Sequence, residues 1–254
     1  MKKQLLKIVE KLGYTITKSE KSPELYPDII NTEFWEIYQL CSQYTMTSVA
    51  RMYALFCAVD YVLSHHIKGS FVECGVWRGG SSMLIAKMLH NRNITDRKIY
   101  LYDTFEGMSM PTKNDFDLSG RSASELLDEN THNKEESVWC LADLDDVQHN
   151  LRLTGFPETN LIYTKGKVED TIPGSMPAGS IALLRLDTDW YESTKHELNH
   201  LFPILEINGV LIIDDYGHWE GCRKAVDEYF SEHQTGMLLN RIDYTGRIGV
   251  KSTF

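Results

Sequence analysis

The segment 71–82 has the sequence Phe71-Val72-Glu73-Cys74-Gly75-Val76-Trp77-Arg78-Gly79-Gly80-Ser81-Ser82 and predicts a strand, a glycine-rich turn and the start of a helix. Glycine lets the backbone pass close beneath a ligand where a Cβ would collide. The helix offers its free N–H groups at the same place. A second apolar run, 99–102, ends in Asp103, and an acid at the end of the second strand is where doubly wound sheets bind a ribose diol. Together the two motifs predict a nucleoside-type cofactor.

The charge within the turn indicates which cofactor this is. A pyrophosphate needs the fingerprint G-x-G-x-x-G, but the order here is Glu-x-Gly-x-x-x-Gly-Gly, with Glu73 inside the loop. A carboxylate repels a pyrophosphate, whereas it can order the cationic amino-acid end of S-adenosylmethionine (SAM), directly or through water. We therefore favour SAM over NAD. The turn alone is a weak signal, because an ordinary strand-to-helix turn also uses glycine.

Composition restricts the class of protein. The 254 residues are 42% hydrophobic and 24% charged, which suits one large α/β domain. A formal net charge of −10 argues against nucleic acid or an anionic membrane as partner. The five cysteines are scattered and lack CxxC spacing, which excludes a cysteine zinc knuckle and favours a reducing, cytoplasmic location. We expect neither a signal peptide nor a transmembrane run.

The pattern along the chain predicts a helical N-terminal extension, residues 1–45, and one domain, residues 46–254. Continuous apolar runs at 181–184 and 210–213 are typical of strands covered on both faces, and 243–246 carries the signal of a hairpin turn. We expect an α/β fold: a doubly wound, mostly parallel, seven-stranded Rossmann-like sheet with a C-terminal antiparallel hairpin. Strands are predicted near 70–75, 98–103, 160–164, 181–187, 208–213, 237–242 and 246–251, and helices near 45–66, 80–91, 144–153, 192–203 and 220–233.

Residues 107–143 depart from this alternation, because they are polar and contain only sparse apolar residues. A long insertion of this kind after the second strand is more often a lid or a substrate loop than a core element. The alternative is a partly disordered surface loop.

Two further strand ends are acidic: 185–189, which contains Asp187 and Asp189, and 212–215, which ends in Asp214 and Asp215. Both should emerge at the carboxyl edge of the sheet, where open α/β sheets bind ligands. Carboxylates gathered in a shielded site repel one another, and a divalent cation is the simplest resolution. Oxygen ligands favour Mg²⁺, Mn²⁺ or Ca²⁺ over zinc. Such an ion can hold a substrate hydroxyl, lower its pKa and aim its oxygen at a methyl group.

A base must then remove the hydroxyl proton, and the candidates are Asp187, Asp189 and His218. Each has a simpler interpretation. An Asp after a strand is often a helix N-cap, and Asp189 and Asp215 each fit that role as well. A histidine near acids is often an ion-pair partner. Aromatic residues flank the acids and either stack on an apolar sugar face or pack at the rim: Trp190, Tyr191 and Trp219.

With these motifs assembled, the chain resembles the macrocin O-methyltransferase family (TylF/MycF-like), whose members use SAM to methylate sugar hydroxyls on macrolides and related glycosides. The E-x-G-V-x-R-G-G block combined with D-D-Y is rather specific. The resemblance covers about residues 45–230 in the family's order, and the matching segments are 72–80, 102–108, 184–191, 209–216 and 222–226.

The resemblance implies a class I SAM methyltransferase with a Mg²⁺ (or Mn²⁺) site at Asp187, Asp214 and Asp215. It also implies that an aspartate of the 187–189 loop assists deprotonation, that adenine binds near 137–139 and 166–167, and that the chain forms a homo-oligomer. The implied SAM contacts are Thr45, Met46, Ser48, Glu73, Gly75, Arg78, Gly79, Ser81, Asp103, Thr104, Trp139 and Asp187.

Residues 1–45 and 107–143 differ from the macrolide enzymes, and these are the regions expected to shape an acceptor pocket. The expected acceptor is therefore a sugar hydroxyl of a glycoside, natural product or surface polysaccharide precursor. Three other functions compete with this one. They are an NAD-dependent oxidoreductase, a metal-dependent hydrolase that uses the acidic cluster, and a non-catalytic SAM-binding protein.

Overall fold

The computed structural model describes residues 23–132, 134–135 and 137–252. Residues 1–22 of the predicted N-terminal extension lie outside the described residues. The rest of the extension contains a 3₁₀ turn at Pro23–Leu25 and helix α1 at Thr32–Cys41. Helix α1 begins where the Asn31 side chain accepts a hydrogen bond from the Phe34 N–H (3.0 Å), as a favourable N-cap does. Phe34 is fully buried in the domain core, so α1 packs onto the domain.

A seven-stranded sheet forms the centre of the molecule, in the order β3-β2-β1-β4-β5-β7-β6. Strands β1 to β5 are parallel, and β7 runs antiparallel to both β5 and β6. The predicted doubly wound sheet with a terminal antiparallel hairpin is thus confirmed, although β6 is only two residues long. The strands are Ser70–Cys74 (β1), Ile99–Asp103 (β2), Leu161–Lys165 (β3), Ile181–Leu186 (β4), Leu205–Ile213 (β5), Asn240–Arg241 (β6) and Arg247–Val250 (β7).

Helices cover both faces of the sheet, because successive strand side chains point to opposite sides. Phe71 of β1 packs in the same core as α1 and the helices Val49–Ser64, Gly80–Asn91 and Leu144–Arg152. Its neighbour Val72 packs in the opposite core. Among the described residues, no helix has both the length and the apolar character needed to cross a membrane. The remaining α-helices are Val49–Ser64 (α2), Gly80–Asn91 (α3), Ala123–Glu129 (α4), Leu144–Arg152 (α5), Val168–Thr171 (α6), Tyr191–Leu201 (α7) and Glu220–His233 (α8).

Strand register brings the acidic strand ends together. Leu186 at the end of β4 pairs with Ile213 at the end of β5, so Asp187 and Asp214 leave the sheet side by side. Strand β1 pairs with both β2 and β4, which makes its carboxyl end the point where the strand order reverses. Ligands of open α/β sheets bind at that point.

The 107–143 segment is attached to the domain at several places. It contains α4, whose Ala123 and Leu127 are buried in the core, and an isolated bridge joins Asp117 to Trp219. The sparse apolar residues of the sequence are therefore the ones that fix this segment to the sheet.

Candidate functional site

A cavity of about 410 Å³ lies at the carboxyl edge of the sheet. Residues that follow β1, β2, β4 and β5 line it, as the strand-end rule predicts. Both ends of the 107–143 segment contribute to its wall as well, through Met108 and Cys140 among others. The predicted site residues that line the cavity are Thr45, Met46, Gly75, Ser81, Asp103, Thr104, Asp187, Asp189, Asp214, Asp215 and His218.

The centre of the site is Arg185, a β4 residue that sequence reasoning did not assign to the site. Its guanidinium lies 2.6 Å from a carboxylate oxygen of Glu73, 2.7 Å from Asp187 and 2.9 Å from Asp214. It also donates to Thr47 Oγ1 (3.1 Å). Burial lowers the pKa of Arg185, but the neighbouring carboxylates raise it well above its ordinary value. The sequence does carry a signal for this buried ion pair: Arg185 is the one charged residue in the otherwise apolar run 181–186, and a buried charge is normally paired.

A second arginine reaches the acids from α2. Arg51 contacts an Asp214 oxygen through Nη1, and its Nε lies 3.2 Å from Asp243 Oδ2. Burial lowers the pKa of Arg51, whereas Asp214 and the other nearby carboxylates raise it. The two arginines therefore offset part of the negative charge that the strand ends bring together.

The acids Asp187, Asp214 and Asp215 each offer one carboxylate oxygen, and these oxygens lie within 4.8 Å of one another. Burial raises the pKa of Asp187 and of Asp215 well above the ordinary range, and repulsion between the carboxylates raises it further. Asp215 Oδ2 is buried and has no hydrogen-bond partner among the described residues. An unpaired buried acceptor is costly, so the cluster has free capacity to bind a cation.

Neither Asp189 nor Asp215 is a helix N-cap. The caps of α7 and α8 are Trp190 and Trp219, so the capping interpretation of these acids is wrong. Asp189 adopts a left-handed backbone (φ 66°), which a residue with a Cβ takes up at a cost. Burial raises its pKa to about 7.

His218 lines the cavity beside the acids. Its ring lies edge-on to Trp219 (4.9 Å between centroids) and to Tyr244 (6.1 Å). Burial lowers its pKa below the ordinary value, and the charge of Asp117 opposes that shift. Its Nδ1 is buried and lacks a hydrogen-bond partner among the described residues.

Glu73 occupies a different place from the one that the sequence predicts. Its side chain is 1% exposed, accepts hydrogen bonds from Ser82 and Arg185 and is absent from the cavity wall. The Glu73 side chain is therefore not positioned to contact the amino-acid end of SAM directly. The charge argument against a pyrophosphate also overlooked Arg185, which pairs with this carboxylate.

Asp103 lines the cavity at the end of β2 and also holds the glycine-rich turn. Its Oδ2 accepts from the N–H groups of Val76 (2.6 Å) and Trp77 (3.2 Å), and its Oδ1 accepts from Phe105 (2.6 Å). Burial raises the pKa of Asp103, and these backbone bonds oppose that rise. Each carboxylate oxygen has two acceptor positions, and the longest contact that fills them is the Thr104 hydroxyl on Oδ1 (3.4 Å), so a ribose hydroxyl that binds here would replace that contact.

Gly75 is required by a contact within the protein. Its φ is 79°, and a Cβ added here would lie 1.9 Å from the backbone carbonyl oxygen of Asp187. Only a residue without a side chain allows the β1 turn to approach the acidic loop so closely. The sequence pattern predicts that this glycine makes room for the ligand, whereas the nearest atoms that exclude a Cβ belong to the loop that carries Asp187.

Four other predicted cofactor residues also lie outside the cavity wall: Ser48, Arg78, Gly79 and Trp139. Ser48 accepts from the Arg51 N–H at the start of α2 (3.2 Å). Arg78 pairs with Asp146 on α5 (2.8 Å). Gly79 turns the chain into α3 with a φ of 89°, and the Trp139 indole donates to a backbone carbonyl (2.7 Å). These four residues therefore make contacts or turns within the protein beside the cavity and do not line it.

Aromatic residues divide between packing and the cavity. Trp190 is 2% exposed and packs against Trp219 (4.9 Å between centroids), and the Tyr191 hydroxyl donates to Glu228 (2.6 Å). Trp219 alone of the predicted aromatic set lines the cavity.

Sequence reasoning missed Tyr244, which lines the cavity and remains 54% exposed. Parts of the two segments predicted to bind adenine also line the cavity: Ser137, Val138, Gly166 and Lys167.

Comparison with known proteins finds relatives whose sequences align with most of this chain. It is 34% identical over 203 residues to the 8-demethyl-8-(2,3-dimethoxy-alpha-L-rhamnosyl)-tetracenomycin-C 4'-O-methyltransferase of Streptomyces olivaceus, a match that covers 80% of this chain and 74% of that enzyme. It is 31% identical over 203 residues to the mycinamicin III 3''-O-methyltransferase of Micromonospora griseorubida, covering 80% and 76%.

The structural comparison agrees. The O-methyltransferase NovP superimposes with a TM-score of 0.71 at 27% identity, over 83% of each chain. The family model described as macrocin-O-methyltransferase (TylF) matches residues 39–249, which include every predicted site residue. The resemblance, the fold and the SAM-dependent O-methyltransferase activity are thereby confirmed. This chain belongs to the macrocin O-methyltransferase (TylF) family.

Proposed function

We propose that this O-methyltransferase methylates a sugar hydroxyl of a glycoside, natural product or surface polysaccharide precursor, with a divalent cation at Asp187, Asp214 and Asp215. The observation that carries the proposal is the convergence of these three carboxylates, within 4.8 Å of one another, on one wall of the cavity. The name of the Streptomyces olivaceus relative contains a rhamnosyl group and a 4'-O-methyltransferase activity. That name supports the sugar as the acceptor class.

The donor set fits Mg²⁺ or Mn²⁺. All the ligand atoms are carboxylate oxygens, which these ions prefer, and Asp215 Oδ2 lacks another partner among the described residues. The arginine contacts leave acceptor positions open, since Arg185 contacts only Oδ2 of Asp187. When bound, the ion supplies Lewis acidity that makes an acceptor hydroxyl more acidic.

Two regions of the cavity support separate binding of cofactor and acceptor. Asp103, together with segments 137–138 and 166–167, forms a region remote in sequence from the acids and suited to a nucleoside. Met46 and Tyr244 line the cavity and are about half-exposed, and the Tyr244 ring lies 6.1 Å from that of His218, so an apolar sugar face can pack against this part of the wall. A cofactor held by the first region and an acceptor held by the second would meet at the acids, where alignment of the methyl group with the acceptor oxygen would supply much of the rate.

Asp189 is the base that we infer for the acceptor proton. It lines the cavity, and its left-handed backbone (φ 66°) is a strain that active sites retain. Asp187 is less suited to the role, because Arg185 lies 2.7 Å from its Oδ2. His218 is the alternative, since its unpaired Nδ1 is able to accept a proton.

The test begins with metal-stripped protein titrated with S-adenosylhomocysteine (SAH) in a calorimeter, followed by Mn²⁺ binding measured by electron paramagnetic resonance. We expect one-to-one SAH binding, and a Mn²⁺ signal that Asp214→Asn weakens strongly and Asp128→Asn leaves unchanged. Asp128 is an exposed acid on α4 and serves as the matched control. Mn²⁺ binding that Asp214→Asn leaves intact would remove the metal from this site.

Activity is then measured as transfer of radiolabelled methyl from SAM to a panel of deoxysugar glycosides and nucleotide sugars. Asp189→Asn should lower kcat by about 10² or more, as loss of a general base does, and His218→Gln should lower it far less. The opposite order would assign the base to His218. Product formation without SAM would indicate a hydrolase instead.

A further inference from the structure

Helices α7 and α8 both begin without a side-chain cap of their own. Their N-cap residues are Trp190 and Trp219, and neither side chain accepts from the first turn of its helix. The first N–H groups of a helix have no partner inside the helix and need acceptors from elsewhere. Both helices start directly after the loops that carry the acids, so whatever caps them also fixes those loops.

The acceptors come from residues 109–117, which we call the clamp segment. Asp115 Oδ1 accepts from the Tyr191 N–H at the start of α7 (2.8 Å). The carbonyl of the next residue, Phe116, accepts from the Glu220 N–H at the start of α8 (2.9 Å). Two adjacent residues of one segment therefore cap two helices, and the charged cap also complements the helix dipole.

Asp115 is seated between the two helices with little room to move. Its side chain is fully buried (0% exposed). Its Oδ2 accepts from the Thr112 N–H (2.6 Å) and from the Thr112 hydroxyl (2.9 Å). A Cβ added to Gly221, the second residue of α8, would lie 2.1 Å from Asp115 Oδ1. The carboxylate thus occupies the space that a side chain at 221 would take.

The clamp segment also reaches the cavity wall. The Trp190 indole donates to the carbonyl of Ser109 (3.0 Å), and Ser109 lines the cavity with its neighbours Gly107 and Met108. One segment therefore covers the cavity at one end and caps both helices at the other. The acids at 187–189 and 214–215 precede those helices by a few residues.

We propose that Asp115 is a positioning residue, which couples the 107–109 wall of the cavity to the two acidic loops by capping α7 directly and holding Phe116 against α8. Removal of its carboxylate releases the clamp segment, opens the cavity and loosens both acidic loops. The consequence for the loops rests on the metal site proposed above, whereas the consequence for cofactor retention rests on the SAM-dependent family alone.

The test compares the wild-type full chain with Asp115→Ala, Asp115→Asn, Gly221→Ala and the Asp115→Ala/Gly221→Ala double variant, with Asp128→Asn as an exposed control acid. The readout is the dissociation rate of SAH measured by stopped-flow displacement. We expect Asp115→Ala to raise that rate by roughly tenfold or more, as loss of a charge-assisted cap predicts. Asp115→Asn should give a smaller effect because its amide oxygen can still accept from Tyr191 N–H, and Asp128→Asn should give none.

Gly221→Ala should mimic Asp115→Ala, because the added methyl displaces the carboxylate. The double variant should be close to Asp115→Ala alone, since the two changes act on one contact. Because Gly221→Ala perturbs the same contact from the other side, the proposal can still be tested if Asp115→Ala folds poorly.

Hydrogen exchange separates positioning from general stability. We expect faster exchange in 109–117 and in the first turns of α7 and α8, with β1 and β4 unchanged. Uniformly faster exchange, with an unchanged SAH dissociation rate in the folded fraction, would overturn the proposal. Absence of Mn²⁺ binding to the wild type would remove the metal site, and the SAH rate would still decide the role of Asp115.

Discussion

Replacement of Gly75 by alanine tests the close approach of the β1 turn to the acidic loop. Two costs add at this position. A left-handed φ of 79° costs alanine about 1–2 kcal/mol, and a methyl 1.9 Å from the Asp187 carbonyl oxygen forces a shift that costs about 1–3 kcal/mol. We expect Gly75→Ala to lower the free energy of unfolding by about 2–5 kcal/mol.

Gly179 provides the matched control. Its φ is 86°, close to that of Gly75, but an added Cβ would meet nothing within 4 Å. Gly179→Ala should therefore lose only the backbone part, about 1–2 kcal/mol. The difference between the two variants isolates the contact with Asp187.

Urea unfolding followed by tryptophan fluorescence gives both free energies, and an unchanged m-value shows that the denatured states are comparable. Because the shift moves the Asp187 loop, Gly75→Ala should also weaken SAH binding in calorimetry, whereas Gly179→Ala should not. Equal losses of stability in the two variants would show that the turn and the acidic loop do not meet as the structure has them.

Three other substitutions test the assignments around the cavity. Glu73→Gln should lower the free energy of unfolding by about 1–3 kcal/mol yet leave SAH affinity within about twofold; a large loss of affinity in calorimetry would restore Glu73 as a cofactor contact. Arg185→Met should cost about 3–5 kcal/mol in urea unfolding, because it leaves buried carboxylates without their cation, and full stability would show that those acids are protonated or solvated. Asp103→Ala should weaken SAH binding by about 1–3 kcal/mol, and an unchanged dissociation constant would exclude a ribose contact there.

Strand positions and the location of the site were accessible from sequence because each depends on short-range pattern. Apolar runs such as 181–184 mark buried parallel strands, and the acids after them must lie at one edge of the sheet. The parallel order and the terminal hairpin followed from the same pattern. The short helices α4 and α6 gave no comparable signal, since they have only seven and four residues.

The partners of the acids were not accessible, because they depend on side chains that meet only in the folded chain. Arg51 comes from α2, far from Asp214 in sequence, and nothing in its local pattern distinguishes it from a solvated helix residue. Glu73 was expected to act toward a ligand, but the residue opposite it in the sheet is Arg185. The role of Asp115 could not be predicted from sequence for the same reason. The two helix ends that it contacts, at Tyr191 and Gly221, are remote from it along the chain.

The two arginines that contact the acids, Arg51 and Arg185, have a consequence for how the enzyme would respond to its ionic surroundings. In a zinc finger the ligands cannot assemble until the metal arrives, so chelation unfolds the domain. Here Arg51 and Arg185 already lie against the acids, so the chain can reach its native state before any cation enters. With the metal site proposed above, a chelator should stop turnover without denaturing the enzyme, and a change in free Mg²⁺ should alter catalytic output while the amount of folded protein stays the same.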